Sequence, residues 1–298
     1  MRKADLHLHS KYSLDGEFGV EELLTLCFNA NLEVISIADH NSARAAAEAI
    51  VFSRKHGIKV IPGIEIDCQY KGIDLHVLGY HINHASPDFE ALEKDFTARV
   101  MDSFPRMVKK LSGAGIQVDL DEVMLKAGGA LPSGELIAEV LLNNDRYLGN
   151  EKLAPYRKGG QRSDMPYINF YLDFFAQGKP AYVKTEYMEY PEAIALIKRN
   201  RGVPVVAHPG LNLKGREEVI EELLIKGAEG LEVFNNYHSR DQIDYFGRVA
   251  MEKGILMTCG SDFHGKTKPL IKPGAFRTID AYMDYVRESV ERLQLRSA

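Results

Sequence analysis

The chain has 298 residues and a formal net charge of −5, with 45% hydrophobic and 27% charged residues, which excludes a disordered chain and gives no reason to expect a stable nucleic-acid partner. No uninterrupted run of about 18 apolar residues occurs, and the opening "MRKADLHLHS" has no apolar stretch; no membrane span or secretion signal is expected, and the expected location is the cytoplasm. Cys27, Cys68 and Cys259 are scattered in apolar contexts and are expected as buried free thiols rather than disulfides.

Seven apolar segments read as strands. "KADLHLH" carries His7 and His9, which a strand's period of two places on one face, as a chelating pair requires. The segment "SKYSLDG" follows with Asp15. "LEVISIADH" ends in Asp39 and His40, "RKHGIKVIPGIEI" reaches Glu65, and "GIDLHVLGY" contains His76. After a long interval come "KRNRGVPVVAHPG" with His208, "KGAEGLEVFNNYH" with His238, and "MEKGILMTCGSDFHG" with Asp262 and His264. Four of these segments open with basic residues and a Gly, as helix C-termini prefer, then run into a short strand.

Strands alternating with helices predict a parallel sheet buried on both faces. Function in such folds sits at the C-terminal ends of the strands, and here those ends deliver the polar residues. An open sheet spreads its strand ends along a line; a barrel gathers them around a point. The expected fold class is therefore α/β, a barrel of seven strands. Its expected extent is residues 1–85 and 184–298. Residues 86–183 read as a helical insertion: "SPDFEALEKDFTARVMDSFPRMVKKLSGAG", with Ser86 as cap and Pro87 at the first helical position, then "DLDEVMLKAGG", "SGELIAEVLLNN" and "DMPYINFYLDFFAQG". A loop that leaves a barrel strand on the catalytic side is placed to cap the site.

A lone histidine is more often a hydrogen-bonded core residue than a ligand, and His56, His81 and His84 are read that way. Seven histidines at equivalent places, accompanied by Asp15, Glu65 and Asp262, are read as a polynuclear metal site. Imidazole and carboxylate without thiolate suit Zn, Mn or Fe. Nine donors, His7, His9, Asp15, His40, Glu65, His76, His208, Asp262 and His264, are too many for one ion, so two or three divalent ions are expected. Glu65, in the middle of the set, suits a bridging carboxylate.

"DLHLHSKYSLDG", "IADHN", "GIEI", "DLHVLGY", "AHPG" and "GSDFHG" together resemble the motifs of the PHP (polymerase and histidinol phosphatase) family of metal-dependent phosphoesterases, over residues 1–84 and 180–270. The resemblance implies a distorted (β/α)7 barrel. It also implies one ion on His7, His9, Glu65 and Asp262, a second on Glu65, His76 and His208, and a third on Asp15, His40 and His264. Asp39 is read as orienting a ligand. "FFAQGKPAYV" leading into "PEAIALIKRNRGVPVVAHPG" is similar to a subgroup that dephosphorylates small nucleotides such as nucleoside 3′,5′-bisphosphates. The chain departs from it at Leu131–Ser133, where an Arg-containing motif is expected, and in the extra stretch 147–166 with Arg157, Lys158 and Arg162.

The expected activity is hydrolysis of a phosphate ester of a small phosphorylated metabolite, nucleotide or sugar phosphate, by a metal-activated water. Glu65 sets the bridge, Asp262 takes the proton, and His238 contacts a phosphoryl oxygen or protonates the leaving group. Arg162 and Arg240 are the candidates for non-reacting substrate groups. The alternatives are opening of a cyclic sugar phosphate in the same site, a metal-dependent amidohydrolase, or a non-catalytic metal-binding module. An amidohydrolase calls for a lysine at a strand end as a carboxylated bridge, and no strand end carries one.

Overall fold

The computed structural model describes residues 3–295; residues 1–2 and 296–298, assigned above to the ends of the barrel, lie outside the described residues. Three parallel strands, β1 (Ala4–Leu8), β2 (Val34–Ile37) and β3 (Lys59–Val60), form one sheet in that order. A second sheet has the order β6-β4-β5-β7-β8-β9, from β4 (Gly63–Tyr70), β5 (Ile73–Tyr80), β6 (Met188–Glu189), β7 (Val203–Val206), β8 (Gly230–Phe234) and β9 (Leu256–Cys259). Isolated parallel bridges join the two at Leu8–Phe263 and His40–Glu65. Strands β1, β2, β7, β8 and β9 are buried along their whole length, as continuous apolar runs with helices on the outside predict.

The parallel expectation fails at one strand. β5 runs antiparallel to both β4 and β7. The reason is local: β4 and β5 are joined by only Lys71 and Gly72, with φ of 50° and 76°. Two consecutive positive φ values make the mirror-image turn that matches strand twist. No crossover helix fits in two residues, so β5 must return beside β4. The pairing sets Asp67 directly opposite His76.

The helices follow the expected punctuation. α1 (Val20–Asn29) and α2 (Ala45–His56) pack on the first sheet, and α2 ends in Arg54, Lys55 and His56 before Gly57 in the left-handed conformation. His56 ends α2 half-buried, and its buried Nε2 makes no hydrogen bond, so it is not the hydrogen-bonded core residue read above; His81 Nε2 meets the carbonyl of Leu293. α3 (Pro87–Gly113) starts at Pro87 with Ser86 Oγ accepting from Asp88 N–H, as expected. α4 (Leu120–Ala127), α5 (Gly134–Asn143) and α6 (Pro166–Phe174) complete the helical stretch. Phe104, Leu111, Ile137, Leu141, Phe170 and Phe175 belong to an apolar cluster of its own. The chain then returns through α7 (Tyr190–Arg199), the short α8 (Pro209–Asn212), α9 (Val219–Ile225), α10 (Arg240–Lys253) and α11 (Asp280–Leu295). Cys27, Cys68 and Cys259 are buried and free, as read, and no helix among the described residues is long and apolar enough to cross a membrane.

Gly72→Ala puts a Cβ on a residue held at φ 76° and is expected to cost about 1 kcal/mol, read as a lower urea midpoint. Gly149→Ala, where a new Cβ meets nothing within 4 Å, leaves the midpoint unmoved.

Candidate metal centre

All nine donors read from the sequence converge. β1 holds His7 and the residues just beyond it hold His9; both rings are buried. His7 Nε2 lies 3.1 Å from Glu65 Oε2 and 3.4 Å from Asp262 Oδ1. His9 Nε2 lies 3.3 Å and 3.0 Å from the same two oxygens. On the other side of Glu65, Oε1 is 3.0 Å from His76 Nδ1 and 3.1 Å from His208 Nε2. His264 Nε2 is 3.1 Å from Asp15 Oδ2, and His9 and His40 complete that group. In each group the donor atoms lie within 4.8 Å of one another. Glu65 thus offers one oxygen to each of two groups.

These atoms fit a cation better than they fit one another. His7 Nε2, His9 Nε2, His264 Nε2 and Glu65 Oε2 are buried and make no hydrogen bond, although buried polar atoms are normally paired. Burial opposes a charge on Glu65, yet His7, His40 and His76 hold its carboxyl well below the usual range. Burial likewise opposes charge on His7, and Glu65, Glu232 and Asp262 outweigh it and raise that imidazole well above its usual value. Burial and the neighbouring His264 push His9 the opposite way. A divalent ion removes the contradiction by meeting the converging lone pairs with positive charge.

The outer ring nitrogens are fixed. His7 Nδ1 is 3.0 Å from Glu232 Oε1, and Glu232 Oε2 accepts from the backbone N–H of His208 at 2.8 Å and from Asn235 Nδ2 at 3.1 Å. His9 Nδ1 meets Ser13 Oγ at 3.1 Å, and His208 Nδ1 meets Asn212 Oδ1 at 2.7 Å. Such partners set ring orientation and tautomer. Asp39 stays outside every donor group; it accepts from Ser10 N–H at 2.6 Å and Ser10 Oγ at 2.7 Å, and so anchors the turn beside His9. Two donors sit in strained backbone, His208 at φ 23° and Asp262 at φ 57°, a cost that a well-determined site can hold in place.

Three residues that the sequence reading proposed behave differently. His238 is buried with both nitrogens occupied: Nε2 accepts from Gly210 N–H at 3.0 Å, so Nδ1 carries the proton and donates to Val233 C=O at 2.8 Å. Burial lowers its pKa, and it has no proton free for a leaving group; it positions the turn behind His208. Arg162 is clamped by Asp173, Nε to Oδ2 at 3.0 Å and Nη2 to Oδ1 at 3.1 Å, and does not line the central cavity. Arg240 is exposed at the start of α10 and does not reach that cavity either.

Other residues take up places the sequence reading did not name. Asp67 shares Glu65's face, two residues on, and its Oδ1 is 2.8 Å from His40 Nδ1; with His40 and His76 it forms a fourth group able to hold an ion. The period of two in "GIEID" was the available signal. Lys268 Nζ is 2.6 Å from Asp262 Oδ2, and Tyr237 donates to the same oxygen at 2.6 Å. Lys268 is buried, and Asp262 outweighs that burial to hold its ammonium charged. Lys268 returns to the site from a loop remote from any strand end, whereas Tyr237 sits beside His238 in the segment that ends β8 and was passed over for its neighbour. A cavity of about 300 Å³ opens on the donors and runs up between α3, α5 and α6.

The family model for the PHP domain matches residues 5–238. A 5′-3′ exoribonuclease of Haemophilus influenzae is 28% identical over 266 residues, covering 88% of this chain and 90% of that one. A 3′,5′-nucleoside bisphosphate phosphatase of Chromobacterium violaceum is 27% identical over 268 residues, covering 89% and 88%. Among solved structures, an amidohydrolase from Chromobacterium violaceum with bound sulfate superposes with a TM-score of 0.80 at 24% identity, over 98% of this chain and 96% of that one; this likeness is one of fold.

Glu232 accepts from two sides at once, and a glutamine can do so from only one. Glu232→Gln is therefore expected to weaken metal affinity roughly 10–100-fold, measured by titrating Mn²⁺ into the metal-free protein. His56→Ala binds metal like the wild type.

Proposed function

Because the chain belongs to the PHP domain family, we propose that it is a metal-dependent phosphoesterase acting on a small phosphorylated metabolite. The observation that carries this reading is the sharing of Glu65 between two donor groups at the floor of a cavity. On this reading the nine donors hold two or three ions of Mn, Zn or Fe, as the N/O donor set suits. Bound there, the ions supply an activated water and neutralise phosphoryl charge.

The chain's own residues do the rest. Asp262 turns Oδ1 to the histidines and Oδ2 to Lys268 and Tyr237. Lys268 is first among the groups that keep this carboxylate ionised against its burial, which suits Asp262 to hold a cation; its place beside the donors is what supports it as the acceptor of the water's proton. Lys268 Nζ and Tyr237 Oη line the cavity; Lys268, with N–H groups beyond the one given to Asp262, takes the role of donor to a phosphoryl oxygen, and Tyr237, whose one O–H is given to Asp262, holds that carboxylate in place. In this reading residues 1–85 and 184–298 build a distorted (β/α)7 barrel, and 86–183 form a lid that excludes water from the reaction.

The amidohydrolase reading is weaker. A carboxylated Lys268 would set a second anion 2.6 Å from Asp262, where the ammonium now stabilises it. A purely structural metal module leaves the open cavity above the donors without a purpose. The three free buried thiols suit the reducing cytoplasm. The exoribonuclease relative makes an RNA end a substrate to include beside nucleotides, sugar phosphates and cyclic phosphates in a phosphate-release screen.

Elemental analysis of gently purified protein should give about two or three transition-metal equivalents per chain, and chelation should abolish turnover until Mn²⁺ is restored. One ion or none, with activity surviving chelator, overturns the polynuclear reading. In Glu65→Gln, metal content and kcat should fall together.

A further inference from the structure

The cavity has two chemically different ends. At its floor stand the donors with Lys268 and Tyr237. Its upper walls are apolar and aromatic: Phe96 and Met107 from α3, Tyr171 from α6, Phe175 just after its end, and Tyr187 beyond it. The rings of Tyr171 and Phe175 lie 6.4 Å apart between centroids, which gives the wall a broad aromatic face.

The permanent charges on the walls are mostly negative. Among the described lining residues, the carboxyl groups are Asp15, Asp67, Asp74, Glu135 and Asp262, and Lys268 is the single permanent cation. That ammonium is already paired with Asp262 at 2.6 Å. A second phosphate carried into the upper cavity would lose its hydration with no cation to meet it. The N-terminus of α5, which reaches the cavity at Ser133, Gly134 and Glu135, does not fill that need. Ser133 Oγ accepts from Leu136 N–H at 3.1 Å, and the Glu135 carboxyl takes its own backbone N–H while burial pushes it up to about 7, so the start of α5 presents an acidic group to the cavity and no cation to an anion. Glu135 is 8% exposed and is suited to accept a hydrogen bond from a ligand.

We propose that the substrate carries a single phosphate and an uncharged planar ring, with the phosphate on the donors, the ring against Tyr171 and Phe175, and a ring N–H or amino group donating to Glu135. This rests on the phosphoesterase reading above and narrows it: substrates with a second phosphate, and polynucleotide ends, are selected against.

The test compares kcat/KM of the Mn²⁺-loaded full-length enzyme on a nucleoside 5′-monophosphate, a nucleoside 3′,5′-bisphosphate, a 5′-phosphorylated dinucleotide and glycerol phosphate. The nucleoside monophosphate should exceed glycerol phosphate by roughly tenfold or more, the scale of one stacked base, and should exceed the bisphosphate and the dinucleotide by about tenfold, the scale of a second phosphate left without a charge-assisted partner. Tyr171→Ala should shrink its advantage over glycerol phosphate. Glu135→Arg should raise the bisphosphate relative to the monophosphate by about tenfold, the scale of a charge-assisted hydrogen bond. If either variant fails to fold, the wild-type ranking still decides. Preference for the bisphosphate or dinucleotide, or equal turnover of glycerol phosphate, overturns the proposal and leaves the phosphoesterase standing. Hydrolysis of none of the four would bring down both.

Discussion

The structure depends on one buried carboxylate. Glu65 has no solvent exposure, and an unpaired charge in such a place costs several kcal/mol or more. Its surroundings are the answer to that cost. β1 brings His7 and His9 to one oxygen, and β5 and β7 bring His76 and His208 to the other. The reversed direction of β5 belongs to the same solution. A two-residue turn after Tyr70 is the shortest path that returns the chain beside β4, and it sets His76 two positions from Leu78, the partner of Glu65 in the ladder.

The protein spends stability around this point. His208 and Asp262 occupy backbone conformations that side chains disfavour. Glu232 is a second fully buried carboxylate, held by a ring nitrogen, a backbone N–H and Asn235. A Cβ at Gly260 would collide with His7 and Glu232, so glycine is what lets β9 pass close to β1. Each of these is unfavourable alone and makes sense only as support for the converging donors.

The donors were legible because they are recurrent. A polar residue on each apolar strand is a pattern that single residues cannot mimic, and the nine positions lie together, although Glu65 and His76 stand inside β4 and β5 rather than at their ends and His9 joins Asp15, His40 and His264. The helices of 86–183 were legible from caps such as Ser86 and from their periodicity. The reversal of β5 was not, because an apolar strand looks the same in either direction and the Lys71–Gly72 turn was passed over between two strands that resembled their neighbours. Lys268 was missed because a loop places it, and loop paths leave no periodic mark; Tyr237 was missed because its neighbour His238 is the residue that looks like a metal donor. His238 misled for the opposite reason: it ends a strand like the ligands do, but its ring points to backbone groups on both sides. Arg162 was read as free because its partner, Asp173, lies eleven residues away on α6 and nothing in the sequence pairs them.

The two sheets meet at isolated bridges, Leu8–Phe263 and His40–Glu65, and these seams are also where the donors stand. Asp262 N–H reaches His7 C=O at 2.9 Å, and Asn41 N–H reaches Glu65 C=O at 2.7 Å. The stitches between the two sheets are therefore made by the donor residues and their immediate neighbours. An ion on these donors would tie the two sheets together across the same seams. The wall's mechanical integrity and the chemistry at its centre draw on the same few peptide units, so evolution cannot retune one without loosening or tightening the other.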